Sequence, residues 1–440
     1  MLKNGDRIYV DSAQERNDRV EYSIGDNTLT IPKSIVARIE KGGSPAVAPA
    51  PRQTSASSEK QIGPDDMPAV HEEMADAGDL AGRIIRNGAV DALALRAIEN
   101  EGLVERSATA NSIAANFEQK RGNLPSAARY LQTALVFLPD HTVLLENYSA
   151  ILLQLGKPQE AISYAMHATR SNPKSADAFM MLGYACYKNE KNHDAIVAFR
   201  KSLQLRPDPR VQQLLDKVER EATTEAEFRQ QESNHFTLRY EGSQTADALR
   251  SQIIESLEAD FKDLSNDLGS APINVSVSLY TDQAFFDVTH APAWSTALND
   301  GKIRVPISGV KSMTGELAQV LRHELTHSFI QQITHGHAPH WLHEGIAQLE
   351  EGRTTSAFGP RLAALYASGN AVPIYLLEGS FVNFSNEEAS VAYAESLAVV
   401  EYIRNTYGMS DLARLLQRLG DGQPMESALR STIHEGYAGL

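Results

Sequence analysis

Two histidines and a glutamate with the spacing of a metal site lie in the C-terminal third of the chain. The segment "HELTH" places His323 and His327 four positions apart, with Glu324 directly after the first histidine. The surrounding run "GELAQVLRHELTHSFIQQI" carries apolar residues at helical spacing. Because positions i and i+4 of a helix face the same way, the two imidazoles could share one metal ion. Glu324 would then lie beside the metal, where a carboxylate can take a proton from bound water.

A third ligand is needed to complete such a site. A downstream histidine of the pattern HExxHxxGxxH is excluded, because the chain has Ile330 and Ile333 at the required glycine and histidine positions. A carboxylate is available in "PHWLHEGIAQLEEG", which reads as a second helix beginning after Pro339. Glu344 follows His327 by 17 residues, enough for helix, turn and helix. The alternative reading is a helix whose two histidines are solvated or packed in a core.

The other histidines of this region and the single cysteine have simpler explanations. His335, His337 and His340 lie in "THGHAPH", a connector broken by Gly and Pro in which histidines are usually solvated. His343 directly precedes Glu344 and is a candidate residue of a substrate pocket. Cys186 falls inside a helical repeat, at a packing position, and is predicted to be a core residue and not a nucleophile.

Composition and charge exclude several classes of function. A chain of 440 residues with 42% hydrophobic residues predicts two or three domains with real cores. Its formal net charge of −15, without a cluster of Lys or Arg, argues against binding nucleic acid or anionic membranes. No apolar run is long enough to span a membrane, and the first residues contain no apolar signal region.

A 34-residue period marks the middle of the chain. Three prolines recur at this interval, and an alanine stands twelve positions before each: Pro139, Pro173 and Pro207, with Ala127, Ala161 and Ala195. This period, with small residues at fixed places, is typical of tetratricopeptide helix pairs. We predict three repeats over about 108–207 and a capping helix to 222. Such repeats offer a concave surface for a peptide or protein partner, or serve as a spacer or docking shoulder for the next domain.

The segments around the repeats complete a multidomain prediction. Short alternating runs near the N-terminus predict strands, a run of Pro, Ala, Ser and Gly predicts a linker, and "HFTLRYEG", "INVSVSLY" and "GKIRVPI" predict strands of an α+β domain. The predicted units are a small β module at 1–40, a flexible linker at 41–66, a helical connector at 67–107, the repeats with their cap at 108–222, and an α+β domain at 234–440.

The motifs together resemble a known family. "HELTH" followed by "WLHEGIAQ" resembles the gluzincin zinc metallopeptidases, a thermolysin-like class in which a glutamate on the next helix completes the HExxH site. The resemblance covers roughly 234–435. "GKIRVPI" resembles the edge strand on which gluzincins align peptides, and "AYAESLAVVEYI" resembles a helix that carries a catalytic tyrosine in related aminopeptidases. With its repeats, the chain resembles bacterial peptidase-MA-like proteins.

The resemblance implies roles for individual residues. Three residues would bind Zn²⁺: His323, His327 and Glu344. Glu324 would act as general base and later as proton donor, and Tyr393 would stabilise the oxyanion. The alternative for Tyr393 is a buried helix tyrosine with a satisfied hydroxyl. Gln348, one turn after Glu344, is a candidate for orienting a zinc histidine. Relatives often have Asn or Ser before the third ligand, where this chain has His343.

The sequence therefore predicts a zinc metallopeptidase whose repeats position a protein substrate or partner. Two alternatives remain open: a repeat scaffold carrying a zinc domain of little or no turnover, and a zinc hydrolase acting on bonds other than peptides. The resemblance favours an envelope or secreted location, whereas the absence of a leader in the given sequence would favour the cytoplasm.

Overall fold

The structure is a computed structural model that describes most of the chain. The described residues are 12–16, 19–24, 27–33, 36, 39, 77–242, 245–272, 274–289, 297–307, 309–357, 359–367, 372–381, 384 and 386–440. The predicted linker at 41–66 lies outside them, as do the first residues of the predicted β module and of the helical connector.

The N-terminal region forms a small antiparallel sheet in the order β1-β2-β3. Its strands are β1 (Ser12–Arg16), β2 (Arg19–Ile24) and β3 (Asn27–Pro32). β2 is the central strand and pairs antiparallel with both neighbours along its length. Of the alternating runs predicted as strands, those at 19–25 and 27–34 are confirmed as β2 and β3 over the described residues. The run at 6–12 lies almost wholly outside the described residues, and β1 was not predicted.

The connector before the repeats contains a hairpin as well as helices. Its elements are α1 (Ala77–Ile84), β4 (Ile85–Arg86), β5 (Ala89–Val90) and α2 (Ala92–Asn100). The two short strands pair antiparallel across the Asn87–Gly88 turn. Asn-Gly is the strongest short hairpin signal in a sequence, and it overrides helical periodicity here because both residues accept positive φ angles. The prediction of helix alone missed this hairpin.

Three helix pairs and a final helix follow. They are α3 (Val104–Lys120) with α4 (Leu124–Phe137), α5 (Thr142–Gln154) with α6 (Pro158–Ser171), α7 (Ala176–Lys188) with α8 (Asn192–Leu205), and α9 (Pro209–Thr224). The periodic alanines are fully buried, which lets the helices of each pair approach closely. In the third pair a side chain at Gly183 would collide with the ring of Phe199, so only hydrogen fits there.

A five-stranded sheet forms the base of the C-terminal domain. Its strands are β6 (Phe228–Glu232), β7 (Phe236–Glu241), β8 (Val275–Tyr280), β9 (Leu298–Asn299) and β10 (Ile303–Pro306). The order is β6-β7-β8-β10-β9, with β7, β8 and β10 parallel and the two outer strands antiparallel to their neighbours. The strand "GKIRVPI" is confirmed as β10, but its predicted place at the edge is wrong, because β9 pairs outside it.

Helices cover this sheet and build the largest core of the chain. They are α10 (Asp247–Leu268), α11 (Asp282–Thr289), α12 (Gly315–Thr334), α13 (His340–Glu350), α14 (Gly359–Ala367), α15 (Asn386–Tyr407), α16 (Met409–Gly420) and α17 (Met425–Thr432), with single 3₁₀ turns at Thr355–Ala357, Ile374–Leu377 and Tyr437–Gly439. The buried faces of α10, α12, α13, α15 and α16 meet in one continuous cluster over β7, β8 and β10. No helix among the described residues is long and apolar enough to cross a membrane.

The repeats dock on the C-terminal domain through one turn position used three times. Gly122, Gly156 and Glu190 are each 34 residues apart and have positive φ angles of 77°, 70° and 60°. A Cβ at Gly122 would lie 2.8 Å from the His337 ring, and one at Gly156 would lie 2.8 Å from the Gln332 amide oxygen. Glu190 forms an ion pair with Arg239, at 2.6 Å. The turns between paired helices therefore act as a docking edge.

A buried ionic cluster strengthens the same interface. Glu221 on α9 is fully buried and accepts hydrogen bonds from Lys302 and, at 2.8 Å, from Arg304, both on or beside β10. The Tyr187 hydroxyl donates a further bond to Glu221 at 3.1 Å. Burial raises the pKa of Glu221, but Arg304 and Lys302 outweigh it and lower the pKa to about 2. Glu221 therefore stays ionised, and it balances the cations that the C-terminal domain buries against the repeats.

We predict that Glu221→Gln destabilises the protein by about 3 kcal/mol, because it leaves buried cations without their counter-charge. Urea unfolding of the full chain measures this. Glu219→Gln is the matched control on the same helix: Glu219 pairs with Arg200 at the surface, so its loss should cost less than about 1 kcal/mol. Equal stability of the two variants would contradict the account.

The same residue predicts a pH dependence. Because the pKa of Glu221 falls from an ordinary 4.5 to about 2 on folding, its stabilising contribution is complete above about pH 4.5 and is lost as the pH falls through about 2. The stability difference between wild type and Glu221→Gln should therefore be constant above pH 5 and shrink in acid. A difference that stays constant down to pH 2.5 would rule out this origin.

Candidate metal centre

Helix α12 presents the two histidines of the motif to one point. Its start is fixed by Thr314, whose hydroxyl accepts a hydrogen bond from the Leu317 amide at 3.1 Å. Leu321 and Leu325 are fully buried and hold the helix against the core. On the opposite side the Nε2 atoms of His323 and His327 lie 3.2 Å apart. The i,i+4 spacing thus brings both imidazole nitrogens together, as predicted.

Helix α13 brings a carboxylate to the same point. Trp341 and Ile346 are fully buried and fix its orientation. Gly345 touches α15 so closely that a Cβ there would lie 2.4 Å from the Ser396 carbonyl oxygen. With the helix held in this way, the Glu344 carboxylate lies 3.6 Å from the His323 Nε2 and 3.7 Å from the His327 Nε2. All three possible ligand atoms fall within 4.8 Å of one another.

This geometry and donor set fit a zinc ion. Zn²⁺ bonds to His nitrogen and carboxylate oxygen are about 2.0–2.1 Å long, so neighbouring donors of a tetrahedral site are about 3.3–3.4 Å apart. The two imidazole nitrogens are 3.2 Å apart, and they lie 3.6 and 3.7 Å from different oxygens of the Glu344 carboxylate, so the donors are close to that spacing. Two imidazoles and one carboxylate leave a fourth position free, which is the pattern of catalytic zinc.

The electrostatics of the centre favour a cation between these groups. Burial raises the pKa of Glu344, but His327 and His323 outweigh it and lower the pKa to about 2. Burial lowers the pKa of His327 to about 3, so this imidazole is neutral and free to act as a ligand. Burial also lowers the pKa of His323, but Glu344 and Glu351 outweigh it and raise the pKa to about 10. A metal ion would satisfy the carboxylates that otherwise hold a proton on His323.

Glu324 lies beside the ligands without being one of them. Its carboxyl group is buried, and burial together with Glu344 and Glu351 raises its pKa to about 7, although His323 lowers it. A carboxyl group with a pKa near 7 can accept and return a proton at neutral pH. This is the property that a general base requires.

Tyr393 reaches the same pocket from α15. Its ring packs edge-on to Phe381, with centroids 5.6 Å apart. Burial raises the pKa of Tyr393, and the Glu344 and Glu324 carboxylates raise it further. The phenol therefore remains protonated at neutral pH, and a protonated phenol can donate a hydrogen bond to a nearby oxygen.

Glu351, a residue that the sequence analysis did not single out, approaches the outer nitrogen of His323, a candidate metal ligand. Its Oε2 lies 3.3 Å from the His323 Nδ1, and its other oxygen pairs with Arg353 at 2.6 Å. The predicted partner, Gln348, is placed differently: its amide donates to the backbone carbonyls of Tyr393, at 2.9 Å, and Glu344. Gln348 therefore ties α13 to α15, and the prediction that it orients a histidine is wrong.

The connector histidines fall into two groups. His340 lies beside the centre, with its Nε2 3.6 Å from the Glu344 carboxylate, and the ring of His343 lies 5.6 Å from that of His327. Burial lowers the pKa of His340 and brings that of His343 to about 4, so both are neutral near pH 7.

His335 ends α12 in a left-handed conformation and His337 contacts a repeat turn. The expectation of solvated loop histidines is wrong for His340.

Comparison with known proteins agrees with this organisation. Residues 262–440 match the family model of the Peptidase MA superfamily, and residues 144–175 and 176–209 each match a tetratricopeptide repeat. A comparison with curated proteins gives no match. The matched ranges contain the metal centre and the second and third helix pairs, which confirms a Peptidase MA superfamily domain after tetratricopeptide repeats.

We predict that Glu351→Gln weakens zinc binding by about 10- to 100-fold without removing a ligand, because the His323 ring loses the carboxylate that faces its outer nitrogen. Competition with a chromogenic chelator measures the affinity. Glu255→Gln, at an exposed position of α10, is the charge-matched control and should bind zinc like wild type. Wild-type affinity in Glu351→Gln would show that the contact does not orient the ligand.

Proposed function

We propose that this protein is a zinc-dependent metallopeptidase that hydrolyses peptide bonds in a protein or peptide substrate. The observation that carries the proposal is the convergence of the His323, His327 and Glu344 donor atoms within 4.8 Å, with the buried Glu324 beside them. The Peptidase MA superfamily match over 262–440 supports the same class of activity. The repeats would position the substrate or a protein partner.

The chemistry of each side chain indicates its role in the proposed reaction. A zinc ion bound by the three ligands would supply Lewis acidity, activating a water molecule and polarising the scissile carbonyl. Glu324, buried beside the ligands, would take the proton of the attacking water and deliver it to the leaving nitrogen. Tyr393, protonated and half-buried, donates a hydrogen bond to the developing oxyanion. No side chain is required to form a covalent intermediate.

The sheet edge beside α12 suggests how a peptide would lie. β9 is the outermost strand of the described sheet, and its residue Asn299 contacts the backbone of Glu324. An extended peptide can add to such an edge as a further strand through main-chain hydrogen bonds. We propose that β9, and not β10 as the family resemblance implied, supplies this edge.

The alternative function is a repeat scaffold in which the zinc domain has little turnover. One observation favours this alternative: three repeat turns contact the C-terminal domain, so the domain can serve as a structural support for the repeats. A purely structural metal site, however, has no use for a buried carboxyl group beside its ligands, and burial of Glu324 costs free energy. We therefore retain the peptidase as the proposal and the scaffold as the competing outcome.

We predict that Glu324→Gln binds one zinc per chain like wild type but loses nearly all cleavage of casein or of a peptide library, because the amide cannot accept the proton of water. Elemental analysis and cleavage assays on the same samples measure both properties. Glu316→Gln, in the exposed first turn of α12, is the control and should keep wild-type activity. Zinc binding without cleavage by the wild type itself would favour the scaffold.

We predict that Tyr393→Phe lowers kcat by about 100-fold, the usual effect of losing one oxyanion donor, with unchanged zinc content. Steady-state kinetics on a cleaved peptide measures this. The control is Tyr402→Phe, an exposed tyrosine on the same helix, which should leave kcat unchanged. A wild-type kcat in Tyr393→Phe would assign Tyr393 to packing alone.

A further inference from the structure

The outermost strand of the sheet, β9, is hydrogen-bonded to α12 at Glu324, the residue proposed as the general base. The side-chain amide of Asn299 donates to the backbone carbonyl of Glu324 at 2.7 Å and to the hydroxyl of Ser328 at 2.7 Å. Its oxygen accepts a bond from the Gly301 amide at 3.0 Å, which fixes the orientation of the side chain. Asn299 thus uses both amide hydrogens and its oxygen, and it joins β9 to the middle of α12.

The next residue along the chain is held by the repeats. The Asp300 carboxylate pairs with Lys217 of α9 at 2.7 Å and with Arg304, and the Asp300 carbonyl accepts a bond from Lys188 of α7 at 3.3 Å. Burial raises the pKa of Asp300, but Arg304 and Lys217 outweigh it and lower the pKa, so the carboxylate stays ionised. Lys217 and Asp300 are less than one-fifth exposed, so solvent screens this pair less than a surface pair.

These contacts form one continuous path from the repeats to the metal centre. Lys217 and Lys188 belong to the repeat unit. Asn299 is the last residue of β9, Asp300 begins the turn to β10, and Glu324 is the proposed base. The turn is short, because Asn299 already pairs with Ile303 across the two strands. A shift of α9 therefore moves Asp300, and Asp300 cannot move far without carrying Asn299.

We propose that Asn299 is a positioning residue for Glu324, and that the repeats hold Asn299 in place through the contact of Lys217 with Asp300. The inference rests on the proposed function, since it gives the repeats a part in turnover besides substrate capture. Asn299 acts on the main chain of the base, so it sets where the carboxyl group lies relative to the metal ligands. Binding of a partner that displaces α9 would change the rate of cleavage through the same path.

The test compares three single variants of the zinc-loaded full chain. Asn299→Ala removes the amide, and Lys217→Met removes the charge while keeping the length of the side chain. Lys201→Met, at an exposed position of α8, is the matched control for the loss of a repeat lysine. We expect kcat to fall about tenfold in the first two, with KM and zinc content close to wild type, and no change in the control. Lys217→Met should also melt at a lower temperature, because Asp300 loses one of its paired cations, so kcat is measured well below that temperature.

The double variant Lys217→Met/Asn299→Ala distinguishes a shared path from two separate effects. If both residues act through one relay, the double variant should be no slower than Asn299→Ala alone. Independent effects would multiply to about a hundredfold, and that result would overturn the proposal. Loss of zinc in Lys217→Met would also overturn it, because the lysine would then support the metal ligands as a whole and not the position of Glu324.

Amide hydrogen exchange gives a reading that does not depend on turnover. In Asn299→Ala and Lys217→Met, peptides covering 315–334 should exchange faster than in wild type, whereas Lys201→Met should match wild type. If the wild-type chain binds zinc but cleaves nothing, the proposed function fails while this exchange pattern still supports the mechanical link. Unchanged exchange of α12 in Lys217→Met would overturn the link whether or not the protein is a peptidase.

Discussion

The structure of the C-terminal domain depends on bringing one carboxylate to two imidazoles in a buried pocket. His323 and His327 meet through helix geometry alone, but Glu344 arrives from a separate helix, so the crossing of α12 and α13 has to be rigid. The buried Trp341 and the close contact of Gly345 with α15 provide that rigidity. The gathered carboxylates favour a cation at the centre, and the same burial that makes the site costly keeps the pKa of Glu324 near 7.

The repeats belong to this architecture as a structural partner of the C-terminal domain. One turn position, used at Gly122, Gly156 and Glu190, forms the docking edge, and the buried Glu221 joins α9 to β10. Because each repeat presents its turn on the same side, the residues that contact the C-terminal domain also recur every 34 positions. The docking-shoulder reading of the repeats is supported by these contacts, and a partner role for other surfaces of the repeats stays a proposal.

The sequence predicted what local geometry determines. The i,i+4 histidines, the Glu344 helix, the alternating strands and the periodic prolines all follow from spacing, and the structure places each accordingly. Two predictions that depended on tertiary contacts were wrong. Gln348 was expected to orient a histidine, whereas Glu351 is the residue that contacts His323. β10 was expected at the edge of the sheet, which β9 occupies. Asn299 gave no signal at all, because its contacts join residues 25 and 29 positions apart.

Zinc X-ray absorption on wild type and Glu344→Gln tests the central claim most directly, because it reports the ligands of the metal and not only its presence. The account predicts about one zinc per wild-type chain, with two imidazole nitrogens and carboxylate oxygen at about 2.0–2.1 Å, and an altered shell with weaker binding in Glu344→Gln. A wild-type chain that holds no zinc when purified without chelator and offered the metal would contradict it. So would an identical shell in both proteins.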